Sequence, residues 1–147
     1  MRSYNKPMKT CMLNETGRQT LLTKISKELS ERSDIEFAYV FGSFNTGVFR
    51  DVDVAVFLSH GMSGADALKL ELELERRLGF IAKLDVDVRI LNRSPLSFRY
   101  NVIRTGKPFL SKNESARSDF ESLTLVEHHD FEFYRRSYRK EVLAIGV

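Results

Sequence analysis

Apolar and polar positions alternate along this chain with two distinct periods. From Leu13 to Leu29 the apolar residues Leu21, Leu22, Ile25 and Leu29 are spaced as one face of a helix, with polar residues between them. Ile35 to Phe41 is an apolar, aromatic run, too short for a helix and rich in strand formers, and Gly42 ends it. Val52 to Leu58 predicts a second strand of the same kind. His60-Gly61 and Ser63-Gly64 then mark a loop, with Ser63 placed to cap a helix. Between Ala67 and Leu78 the leucines at 68, 70, 72 and 74 alternate as in a strand, but the segment has no β-branched residue and pairs Glu73 with Arg77. Propensity and length therefore predict a helix, stopped at Gly79. A third strand lies within Phe80 to Leu91. Pro95 starts another helix that runs to Thr105-Gly106, and Phe109-Leu110 forms a short edge strand. From Ser115 onward there is room for one or two further helices, the last basic at Arg135, Arg136, Arg139 and Lys140.

This order of elements predicts an α/β fold: a small mixed β-sheet with flanking helices and a helical C-terminal tail from about residue 115. With 147 residues there is room for a single domain, residues 13–147, behind a flexible basic tail at residues 1–12. The composition, 42% apolar and 29% charged, is that of a soluble globular protein, and no apolar run approaches the ~20 residues of a membrane span. Cys11 is the sole cysteine, which rules out an internal disulfide and fits a reducing cytoplasm. A net charge of +3 permits an anionic ligand without calling for nucleic acid. Between Lys83 and Lys107, six basic residues face two acidic ones, the rim a polyphosphate would want; scattered solvated side chains account for them equally well.

Three features carry candidate chemistry. Gly42-Ser43 opens the segment G-S-F-N-T-G directly after a strand, where glycine lets backbone approach a phosphate and the serine hydroxyl can cradle its oxygens. The same dipeptide also serves as an ordinary turn. Asp51 and Asp53 stand two residues apart on a strand, so both carboxylates point to one face while Val52, Val54 and Val56 take the other. Like charges so placed repel unless a cation binds between them, and hard oxygen ligands suit magnesium. Leu84 to Val88 repeats the device: Asp85, Asp87 and Arg89 share a face opposite Val86, Val88 and Ile90. If the two strands are neighbours, three or four carboxylates converge and could hold two magnesium ions ~4 Å apart.

The segments F-G-S-F-N-T-G, D-V-D-V-A-V and D-V-R-I-L-N-R-S-P together resemble the minimal nucleotidyltransferases of the DNA polymerase β-like superfamily. Asn92 to Pro95, Tyr100, Gly106, the R-S-D-F-E stretch at Arg117 to Glu121, and Asp130 resemble its antitoxin branch (MntA-like), whose partner is a HEPN-domain toxin. The resemblance implies a polymerase β-like nucleotidyltransferase fold, with Gly42 and Ser43 binding the nucleotide and Asp51 and Asp53 ligating both metals. The family's third aspartate stands eight residues before the proline, which is Asp87, with Asp85 in reserve on the same face. Asp87 would bind the catalytic metal and take the proton of the attacking hydroxyl. The chain departs from the family in the loop before Asp51: only seven residues, Phe44 to Arg50, follow the serine, and Arg50 stands where the family has a serine. Either Arg50 is thereby a candidate for neutralising phosphate, or the shortening impairs nucleotide binding.

The resemblance implies an enzyme, a magnesium-dependent protein adenylyltransferase moving AMP from ATP to a tyrosine hydroxyl of a HEPN toxin within a toxin–antitoxin system. Two other readings stand beside it: an antitoxin that neutralises its partner by binding alone, and nucleotidyl transfer to a small molecule. The basic tail at Arg135 to Lys140 is a solvated face or a partner contact, in a homo- or hetero-oligomer. His128-His129-Asp130 is no metal motif, because adjacent histidines on a helix face different directions.

Overall fold

In the computed structural model, which describes residues 11–46 and 48–146, a four-stranded sheet carries helices on both faces. The elements are β1 (Cys11–Met12), α1 (Glu15–Ser30), β2 (Ile35–Phe41), β3 (Val48–Phe49), β4 (Asp51–Leu58), α2 (Gly64–Ala82), β5 (Asp85–Ile90), α3 (Leu96–Thr105), β6 (Lys107–Ser111) and α4 (Glu114–Gly146). Strand order is β5-β4-β2-β6, with β4–β5 parallel and the other two pairs antiparallel. The sheet is therefore mixed, as the order of elements predicts.

Alternation along the strands splits the interior in two. Ala38 and Val40 of β2, Val52, Val54 and Val56 of β4, and Val86, Val88 and Ile90 of β5 point to the face covered by α1 and α2. Ile25 and Leu29 of α1 and Leu70, Leu74 and Leu78 of α2 meet them there. The opposite face carries Phe37, Tyr39 and Ala55, covered by Val102 of α3 and Phe120 of α4. Phe37 stacks on Phe57 at 4.7 Å, and Phe120 tilts against both. Burying side chains of this size contributes about 1.5–3 kcal/mol each, which makes these two layers the main support of the fold.

Several elements differ from the pattern-based expectation. Residues 1–10 of the proposed tail lie outside the described residues, but Cys11–Met12 pair with Val48–Phe49 as a two-residue ribbon. Helix α2 does not stop at Gly79; it continues to Ala82 and ends at Lys83, whose φ of 56° reverses the chain. Gly79 serves close packing instead, since a Cβ there would lie 3.2 Å from the Leu84 carbonyl oxygen. The period-two leucines of α2 divide by helical position: Leu70 and Leu74 are buried, Leu68 and Leu72 exposed. Of the one or two helices expected from Ser115 onward, the C-terminal residues form one, of 33 residues. Its first turns are fixed to the body by Tyr39, whose hydroxyl donates to Glu121, by Arg99 to Glu127 at 3.2 Å, and by Tyr100 stacked on His128.

Edge strand β5 is closed by side chains rather than by another strand. Glu75 accepts from the Val88 N–H at 3.0 Å and Glu71 from the Ile90 N–H at 2.9 Å. The two glutamates are one helical turn apart, so a single face of α2 occupies the edge that would otherwise invite pairing.

Candidate active site

The site residues collect at one end of the sheet because of strand register. Asp53 of β4 is the direct partner of Asp87 of β5, and Asp51 of Asp85. Neighbouring strands lie ~4.8 Å apart, so each pair of carboxylates arises from adjacent backbones on the same face. Asp51, Asp53 and Asp87 are half-buried, whereas Asp85 is exposed, which separates the reserve candidate from the other three. Arg89 follows Asp87 by two residues on that face and is exposed too. The two strands thus meet as the sequence requires.

Gly42 sits against this pair. Phe41, the last residue of β2, is the register partner of Asp53 on the other side of β4. Directly after it, Gly42 takes φ +75°, and a Cβ built there would stand 2.5 Å from the Asp53 carboxylate Oδ2. Glycine is required on two counts: the left-handed backbone and the room for a carboxylate. Gly42–Thr46 then wind as a short 3₁₀ turn with Ser43 exposed at its start. Arg50 is exposed immediately before β4.

The shortened loop is well anchored. Phe44 and Phe49 are both buried and pack edge to face at 4.7 Å, which ties the 3₁₀ turn to β3. Asn45 donates from Nδ2 to the Val40 carbonyl at 3.2 Å and to the Thr105 carbonyl at 3.4 Å, joining the turn to β2 and to the end of α3. Nothing in the motif pattern gives Phe44, Asn45 or Phe49 a role of its own. Two aromatic residues inside a seven-residue loop were the available signal, since a solvated loop has no use for them.

The N-R-S-P segment holds the scaffold rather than the chemistry. Asn92 accepts from the Leu58 N–H at 2.8 Å and donates to the Leu58 carbonyl at 2.9 Å, continuing the β4–β5 pairing with a side-chain amide. Arg93 donates to the Met62 carbonyl, Ser94 to the Ile90 carbonyl, and Pro95 precedes the first turn of α3. These bonds hold β4 and β5 in the register that sets Asp53 beside Asp87.

Among the described residues, no three His, Cys, Asp or Glu side chains stand close enough to hold a metal ion as they are. The donor set nevertheless fits magnesium. That ion is usually bound by one or two carboxylates together with substrate phosphates and waters, not by a cage of protein ligands alone. Asp53 and Asp87, with Asp51 at the strand entry, offer hard oxygen donors of that kind on one face.

No curated protein matches the sequence significantly. Solved structures do match in fold. A chain of the complex of tri-AMPylated Shewanella oneidensis HEPN toxin with MNT antitoxin superposes with a TM-score of 0.67 at 21% identity, covering 86% of this chain and 98% of that one. A chain of the MntA–HepT toxin–antitoxin structure gives 0.66 at 21%, covering 85% and 98%. One from a toxin–antitoxin structure with AMP-PNP gives 0.62 at 22%, covering 89% and 99%. The sequence profile described as "Polymerase beta, Nucleotidyltransferase" matches residues 23–115, a span that runs from α1 into the start of α4 and contains every candidate site residue. The chain is a member of the polymerase β nucleotidyltransferase family.

Proposed function

We propose that this protein is a magnesium-dependent adenylyltransferase that silences a HEPN-domain toxin by moving AMP from ATP to a tyrosine hydroxyl of that partner. The observation that carries the reading is the pairing of Asp53 with Asp87 on adjacent parallel strands, with Gly42 set against the Asp53 carboxylate. The fold shared with chains of toxin–antitoxin complexes, one holding a tri-AMPylated HEPN toxin and one AMP-PNP, supports the choice of acceptor and nucleotide.

In this reading Gly42 and Ser43 bring backbone and hydroxyl to the triphosphate, and Arg50, exposed at the mouth of the loop, balances part of its charge. Asp51, Asp53 and Asp87 would hold magnesium, which would stabilise the negative charge that develops during transfer. Asp87 receives the proton of the tyrosine hydroxyl as its oxygen forms a bond to the α-phosphorus. The bond from that phosphorus to the bridging oxygen breaks, and pyrophosphate leaves. Asp85, exposed on the same face, stands outside this ligand set. No helix among the described residues is long and apolar enough to cross a membrane.

Protection of toxin-expressing cells tests the reading. Wild-type protein should protect, and Asp53→Asn and Asp87→Asn should each fail while still accumulating as folded protein. If both variants protect as well as wild type, neutralisation proceeds by binding and the transfer mechanism is wrong.

A further inference from the structure

Beyond His128, helix α4 leaves the body of the protein while keeping the pattern of a buried helix. Phe120 is buried against the sheet, Thr124 is buried one turn on, and Glu127 packs on α3 through Arg99. The same spacing of three and four residues continues through Phe131, Tyr134, Tyr138 and Val142, which are 44–71% exposed. Of the thirteen large apolar side chains left exposed among the described residues, nine lie on this helix. An apolar stripe on a helix that has left its domain is a surface waiting for a partner. Phe131, Tyr134 and Tyr138 alone offer roughly 400 Å², taking ~200 Å² per aromatic side chain. That is half of the ~800 Å² per partner in a standard interface, before any flanking residue is added.

The sequence of the helix points to its occupant. Reversing α4 about the point between Glu132 and Phe133 brings Phe131 level with Tyr134 and Leu123 level with Val142. The same operation sets Asp130 level with Arg135, and Glu127 one residue from Arg139. Acidic residues (Glu127, Asp130, Glu132) precede the midpoint and basic ones (Arg135, Arg136, Arg139, Lys140) follow it, with Glu141 the exception near the end. A parallel pair would set like charges at equal height; an antiparallel pair sets opposite ones, and the helix dipoles oppose as well. At the level of Leu123 the body has an open groove of about 350 Å³ whose lining includes Phe57, Leu91 and Phe120. Val142 of a reversed second helix reaches that height, about 14 Å from the midpoint at 1.5 Å per residue.

We infer that α4 is a self-association helix: two copies of this chain pair antiparallel through Leu123, Phe131, Tyr134, Tyr138 and Val142 about a two-fold axis near Glu132–Phe133. The interface is isologous, so each stripe residue serves on both sides of the axis. It lies on a different element from the carboxylates, and its failure would leave the proposed transfer chemistry untouched.

Light scattering of the full-length chain across a wide concentration range is the test. Wild type should have twice the chain mass, and Tyr134→Glu/Tyr138→Glu should weaken self-association roughly a hundredfold while keeping its helical circular dichroism. Charge exchange checks the direction of pairing. Asp130→Arg/Glu132→Arg and Arg135→Glu/Arg136→Glu should each be monomeric alone and recover the dimer mass when mixed. Two results would overturn the inference: a wild type that stays monomeric at every concentration, or a mixture of the exchanged variants that does not pair. A wild type monomeric alone, but losing toxin binding on the tyrosine substitutions, would assign the stripe to the toxin instead.

Discussion

Gly42 and Asp53 depend on each other at the smallest scale. The carboxylate occupies the space a side chain at residue 42 would need, and the backbone there is left-handed. Gly42→Ala should therefore cost roughly 1–3 kcal/mol and displace the Asp53 carboxylate. Thermal melts would record the first effect and a larger loss of AMP transfer than of stability the second; unchanged transfer would detach Gly42 from the site. Tyr39 is the complementary case of a buried polar group with a purely structural task. Burial, followed by its hydrogen bond to Glu121, holds the phenol proton well above the usual value of 10.0. The folded-state value is raised, so its contribution is complete below pH 10 and declines as pH rises further, by up to about 1.4 kcal/mol per unit. Tyr39→Phe should flatten the alkaline fall in a pH series of denaturant melts, and an identical fall in both proteins would remove Tyr39 as its source. The aspartates were legible in sequence because carboxylates are rare inside strands. The Tyr39–Glu121–Arg117 network was not, because Tyr39 is far in sequence from the local Arg117–Glu121 pair and meets it only through the fold.

At the scale of elements, the β4–β5 pairing governs the geometry of the candidate site, since a slip of one residue would turn Asp53 and Asp87 to opposite faces. Asn92 guards that register from one end through its two bonds to Leu58. Asn92→Ala leaves a strand-end N–H and carbonyl without these partners and should cost about 1–3 kcal/mol, with a lowered melting temperature as the readout. A melting temperature unchanged by the substitution would show that the strands hold register without it. Strands β2, β4 and β5 and the helices between them were visible as changes of period. Strand β3 and its partner β1 were not, because two residues carry no period and their pairing depends on Phe44 and Phe49 filling the space beneath the loop. The end of α2 was misplaced for a related reason. Gly79 reads as a stop signal, yet its role is close packing against the chain at Leu84.

For the whole molecule, the sequence indicated a small mixed sheet with flanking helices, and carboxylates that converge if two of its strands are neighbours. It did not indicate that the C-terminal residues form a single helix of 33 residues projecting past the body, because helical spacing continues unchanged where contacts with the body stop. Transfer of AMP to a protein acceptor is tested by the intact mass of a HEPN-domain toxin after incubation with this protein, ATP and magnesium. Transfer to the toxin predicts one or more AMP additions with wild-type protein and none with Asp53→Asn. A toxin that keeps its original mass in the presence of the folded wild-type protein would contradict it.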